Sequence, residues 1–213
     1  MRGDAMCGAE MNSPVPEPLR RFIWDIQSMV ELAESERELL MIGRDLMARL
    51  VAVDGWLPDV FTRAADDHCR HYLIYGDALE RFSVASTVLS GNQAMLMRGD
   101  GVWDIIGVLR GAMSIGRLLW EPGREPQPNG EAQLLEAGGV EVVAAVSGEA
   151  IELSNAMSGD VSIGIHVYGG DIGKLARYPL EGGGTALGLA AGYANAEDSP
   201  AYDIASIQAD IRD

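Results

Sequence analysis

From Gly76 onward the chain repeats one texture: short runs of apolar and β-branched residues, each ended by Gly, Asn-Gly or Pro. The runs at 81–90, 103–111, 114–120, 131–138, 140–148 and 161–169 recur at intervals of about eight to twelve residues. Segments this short predict antiparallel strands in a sandwich or barrel, because no βαβ unit fits between the breaks. The Pro- and Gly-rich stretch 122–130 reads as a surface loop. The glycine-rich stretch 181–198 has no strand–loop–helix context for cradling phosphate. It is expected to hold a turn and a last strand ending near Tyr193.

The first third reads differently. Leu19, Phe22, Ile23, Ile26, Met29 and Val30 form one helical stripe. Ser35 and Glu38 have capping-box spacing, and Leu39, Leu40, Ile42, Leu46, Met47 and Leu50 follow them. Pro58 suits the start of a third, short helix. The expected organisation is a disordered leader over 1–17, a helical cap over 18–75, a barrel over 76–196 and an acidic tail over 197–213. The whole is one structural domain of 213 residues.

A net charge of −16 leaves no basic face for a nucleic-acid backbone or an anionic membrane surface. No apolar run approaches the roughly 18 residues of a membrane span, and the polar N-terminus lacks the apolar core of a secretory signal. The two cysteines, Cys7 and Cys69, make no disulfide framework and no metal-ligand spacing. These features are those of a cytoplasmic protein, with Cys69 an inert buried thiol.

The segments RFSVASTVLSGNQ (81–93), VWDIIGVLRGA (102–112), GEAIELSNA (148–156) and SIGIHVYGGDIG (162–173) resemble, in order and spacing, the bacterial thiol dioxygenases. These are the cysteine dioxygenase and 3-mercaptopropionate dioxygenase group of the cupin superfamily. The likeness runs from about Leu19 to Asn195. It implies a mostly β fold, the cupin double-stranded β-helix or jelly-roll barrel, with an N-terminal helical cap.

In that family a ferrous iron sits on three histidines inside the barrel. The resemblance places those ligands at Arg98, Asp100 and Ile151, so all three imidazoles are missing. A guanidinium stays protonated, and isoleucine has no lone pair. Neither iron nor another cofactor is therefore expected, although Asp100 with Glu149 or Glu152 could form an oxygen-rich site for a harder ion. The family's glycine and proline on the preceding strand fall on Asn92 and Leu96.

The family's Ser-x-His-x-Tyr relay falls on Gly164, His166 and Tyr168, which period-two spacing puts on one strand face. The resemblance also carries a carboxylate-holding arginine to Arg177 and a pocket position to His71. Each has an ordinary alternative: a core histidine, a barrel-filling tyrosine, a surface cation. The leading expectation is an iron-free cupin that binds a small carboxylate or amino-acid-like molecule through Arg98, Arg177, His71 and Tyr168. Metal-independent acid–base chemistry would run through His166, Asp100 and Tyr168. The alternatives are a non-catalytic ligand-binding or regulatory protein, and a thiol dioxygenase with rearranged ligands. Oligomeric state stays open.

Overall fold

A computed structural model describes residues 14–66, 68–98, 102–121, 124–146, 148–171, 193–195 and 200–208, with Arg98 described in its backbone only. Two helices come first, α1 (Glu17–Leu32) and α2 (Glu36–Val51). Leu19, Phe22, Ile23, Ile26 and Met29 are buried along α1, the stripe read from the sequence. At the start of α2 the Ser35 hydroxyl accepts the Glu38 N–H, and the Glu38 carboxylate accepts the Glu34 N–H. The capping box thus closes one residue earlier than its usual form. Ile42 is exposed, not buried; the face turned inward carries Gly43, over which the Ile105 side chain packs. A short 3-10 turn, Asp59–Thr62, follows Pro58.

Ten strands follow: β1 (Arg70–Gly76), β2 (Ser83–Leu89), β3 (Ala94–Arg98), β4 (Asp104–Arg110), β5 (Ala112–Leu119), β6 (Gln127–Pro128), β7 (Gln133–Glu136), β8 (Val140–Val143), β9 (Glu149–Asn155) and β10 (Ser162–Tyr168). One sheet has the order β1-β2-β10-β4-β8; the other runs β3-β9-β5-β6, with β7 also on β5. Every pairing between these strands is antiparallel. The orders β2-β10-β4-β8 and β3-β9-β5-β7 are those of a jelly roll, the double-stranded β-helix of cupins, with β1 added at one edge. The mostly β fold with a helical cap is therefore the one observed.

The cap ends sooner than the sequence pattern suggested. Residues 70–76 form β1, because Tyr72, Leu73, Ile74 and Tyr75 are buried on both faces of a sheet. The ordered chain also begins before Pro18, since Val15 is buried in the core. The leader's residues 1–13 lie outside the described residues, as does the last strand expected before Tyr193. In the tail, α3 (Ile204–Gln208) buries Ile207, and Tyr202 bridges in parallel to Tyr75. No described helix is long and apolar enough to cross a membrane.

The first sheet is covered on both sides. Val84, Val88, Ile105, Ile163, Ile165 and Val167 face the helices in one apolar cluster. Ile106 and Val108 face the second sheet with Met95, Met113, Ile151 and Leu153 in another. Strands β2 and β10 are consequently buried at every position and lack the alternation of a one-sided sheet. Gly107 lets α2 approach β4: a Cβ there would lie 2.6 Å from Met47 Cγ and 2.7 Å from Val51 Cγ1. Gly107→Ala is expected to destabilise the fold by about 1–3 kcal/mol. Urea unfolding should show a lower midpoint with an unchanged slope, and an unmoved midpoint would contradict this packing.

Candidate functional site

The inner face of the first sheet is set by register. His71 lies opposite Thr87, Thr87 opposite Gly164, and Gly164 opposite Val108. The next inward row is Leu73, Ala85, His166 and Ile106, and Ser83, Tyr168 and Asp104 form the row after it. Gly164, His166 and Tyr168 do share one face, as their spacing predicted.

These rows gather a polar cluster inside an apolar barrel. The His166 and Tyr168 rings stack at 5.2 Å and 12°. The His71 ring lies 5.8 Å from His166, 5.7 Å from Tyr168 and 5.6 Å from Tyr193, stacked on the last. His71, His166, Thr87 and Asp104 are all buried. His166 Nδ1 is 3.0 Å from Asp104 Oδ2, and His71 Nδ1 is 2.7 Å from the Thr87 hydroxyl. The Tyr168 hydroxyl donates to Met97 Sδ at 3.4 Å. The Nε2 atoms of both histidines are buried with no hydrogen-bond partner among the described residues, as is Asp104 Oδ1.

Burial controls the electrostatics. It holds His71 well below the usual imidazole range, with the neighbouring His166 adding to the effect. It pushes the Asp104 carboxyl up, offset in part by His166. Burial, with Asp104 adding to it, keeps the Tyr168 phenol well above its ordinary range, so it remains a protonated donor. With Asp104 ionised, its bond to His166 requires a proton on Nδ1, and a ring with that one proton has a bare lone pair on Nε2. A Cβ on Gly164 would lie 3.3 Å from Nε2 and 3.2 Å from Met113 Sδ, tighter than ordinary contact. The glycine thus lets the ring and Met113 pack close to the strand, where the resembled family has a serine.

The sequence had placed other residues here. Asp100, Arg177 and the side chain of Arg98 lie outside the described residues. Ile151, at the position of the family's third ligand, is buried among Met97, Met113 and Leu153. It offers a hydrocarbon where iron would need a lone pair, so the described residues do not fit the family's iron site. Glu152 is exposed and points away from the buried Ile151, and Glu149 is half-buried at the strand's first position. Among the described residues no three His, Cys, Asp or Glu side chains converge on a metal position. The two imidazoles supply two ligands, fewer than the three protein ligands usual at a catalytic zinc. Cys69 is half-buried against the inner apolar cluster, and burial raises its thiol.

Asp104, Thr87 and Tyr193 escaped sequence reasoning. Asp104 had a signal: it is the one acid in the otherwise apolar run of residues 102–109. Thr87 reads as an ordinary strand residue. Tyr193 arrives from far along the chain, held at β1 by the Ala194 N–H donating to His71 O and by the Asn195 side chain bonding both backbone groups of Leu73.

No family model matches the sequence. Solved structures similar to it include cupin-domain proteins. A conserved double-stranded β-helix protein of Klebsiella pneumoniae is 14% identical with a TM-score of 0.43, over 55% of this chain and 93% of that one. The Cnp3 cupin domain of Schizosaccharomyces pombe is 10% identical with a TM-score of 0.38, over 48% and 61%. An oxalate oxidase bound to glycolate is 11% identical with a TM-score of 0.40, over 56% and 60%. This chain thus spans less than two thirds of the yeast domain and of the oxidase. Likenesses this distant carry no functional information, and the chemistry has to come from the barrel's own residues.

His71 gives a pH signature. The folded protein holds it neutral, whereas the unfolded chain protonates it near 6.5. Below that value the unfolded state binds more protons, so stability falls on acidification. In His71→Asn the fall from about pH 6.5 downward should be shallower, by up to about 1.4 kcal/mol per pH unit. Urea unfolding across that range checks it; an identical slope would mean that His71 titrates normally in the fold.

Proposed function

We propose that this chain is a cysteine dioxygenase-like cupin that has left the family's iron chemistry and binds a small carboxylate or amino-acid-like molecule inside the barrel. The observation that carries the reading is the pair of buried, unpartnered imidazole nitrogens on His71 and His166. A buried polar atom without a partner costs about 1–3 kcal/mol, so an otherwise apolar barrel retains such atoms for something that comes to meet them.

His166 is the proton acceptor of this site. Asp104 orients its ring through Nδ1 and stabilises the imidazolium that forms when Nε2 takes a proton. Tyr168 is the donor: its phenol stays protonated, and its resting partner is a thioether, a weak acceptor readily exchanged for a ligand oxygen. Arg98 and Arg177 are assigned the ligand's carboxylate on the resemblance, and Asp100 a second proton-transfer position. Ile151 supports the absence of iron, since it cannot ligate.

Mass spectrometry of gently purified protein is expected to find a bound small molecule carrying a carboxylate or amino-acid group. His166→Phe, which keeps the ring's volume, should reduce its occupancy by about tenfold or more. Iron-supplemented protein should consume no oxygen with cysteine or 3-mercaptopropionate. A protein free of any ligand that also oxidises those thiols would overturn the proposal.

A further inference from the structure

The buried hydrogen bonds have a direction, and that direction describes the ligand. Met97 Sδ carries no hydrogen, so the Tyr168 hydroxyl must be the donor between them. The Thr87 hydroxyl lies 2.7 Å from His71 Nδ1; with that hydroxyl as acceptor, His71 carries its proton on Nδ1 and leaves Nε2 bare. His166 has its Nδ1 at the Asp104 carboxylate, and a ring with its one proton there also leaves Nε2 bare. The two Nε2 atoms, without partners among the described residues, lie on rings 5.8 Å apart.

We propose that both rings carry their single proton on Nδ1 and that this part of the barrel is a seat for a primary ammonium group, which donates one N–H to His71 Nε2 and another to His166 Nε2. This rests on the barrel being a small-molecule site and names the ligand chemistry of its described half. Three observations favour a cationic donor over a carboxylate. Neither Nε2 has a hydrogen to offer an anion. One ammonium nitrogen at ~2.9 Å from each acceptor, with tetrahedral N–H bonds, bridges nitrogens roughly 5 Å apart, a span within reach of two rings whose centroids are 5.8 Å apart. Asp104 is a buried acid whose side-chain partner is the His166 ring, with Oδ1 unpartnered among the described residues. An ammonium held on the far side of that ring brings the local charge to zero, and the faces of Tyr168 and Tyr193 also favour a cation. The groups facing the seat are His71 from β1, Thr87 from β2, Asp104 from β4, Met113 from β5, His166 and Tyr168 from β10, and Tyr193 from the C-terminal segment. An amino-acid-like ligand would then enter amine first, its carboxylate directed elsewhere.

The test is a ligand-observed NMR titration of the full chain with n-propylammonium chloride and, separately, sodium propionate, probes of equal size and opposite charge. The ammonium is expected to bind, and each of His71→Phe and His166→Phe to weaken it by about tenfold or more. Thr87→Val keeps the side chain's shape and removes the hydroxyl that fixes the His71 proton, so it should weaken ammonium binding and, by leaving Nδ1 without a partner, lower the thermal unfolding temperature by a few degrees. Propionate binding without ammonium binding would overturn the ammonium seat and leave the small-molecule site standing. Ammonium binding unchanged in all three variants would also overturn it. Binding of neither probe would remove the seat and count against the small-molecule site as well.

Discussion

The hydrogen bond between Asp104 and His166 is the constraint around which this barrel is organised. It joins neighbouring strands, β4 and β10, at a depth where water does not reach either group. A carboxyl there is costly in its charged form, and only a partner that accepts its hydrogen-bonding capacity makes it tolerable. The imidazole does so through Nδ1, and its other nitrogen lies beside Gly164. The orientation of the ring is therefore a consequence of one contact.

That contact needs a dry interior, which the layered fold supplies. The helices cover the outer face of the first sheet, and the second sheet covers the inner one. The remaining exposed edge, at β1, is closed by residues 193–195 and 201–202, which bond to His71, Leu73 and Ile74. Tyr193 is thereby laid on the His71 ring. The same burial that suppresses protonation of His71 keeps the Tyr168 phenol intact. A neutral His71 and a protonated Tyr168 thus lie beside the His166–Asp104 pair.

Much of the fold was legible in the sequence because its signals are local. Glycine and proline punctuation marked the strands, and period-two spacing put Gly164, His166 and Tyr168 on one face without knowledge of the partners. The helical stripe of α1 was equally plain. The errors arose where neighbours decide. Residues 70–76 have too few polar positions to show a strand's alternation, because both of their faces are buried. On α2 the exposed Ile42 stands beside Gly43, which the helix turns to the sheet, where closeness of approach matters more than apolar area. At the site, sequence comparison drew attention to Arg98, Asp100 and Ile151, the positions where a pattern was broken. Asp104 completes the cluster instead, and it does so across strands, through a register that no linear spacing reveals. The expected carboxylate contacts rested on Arg98 and Arg177, whose side chains lie outside the described residues; the described nitrogens are those of two imidazoles.

The most direct measurement is of where the imidazole protons sit. The chain has three histidines, so nitrogen-15 spectra of histidine-labelled protein can be assigned by single substitutions. At neutral pH, His71 and His166 should each show a protonated Nδ1 and a bare Nε2. A hydrogen found on Nε2 of either ring in the ligand-free protein would contradict the account, for the paired acceptors would then not exist.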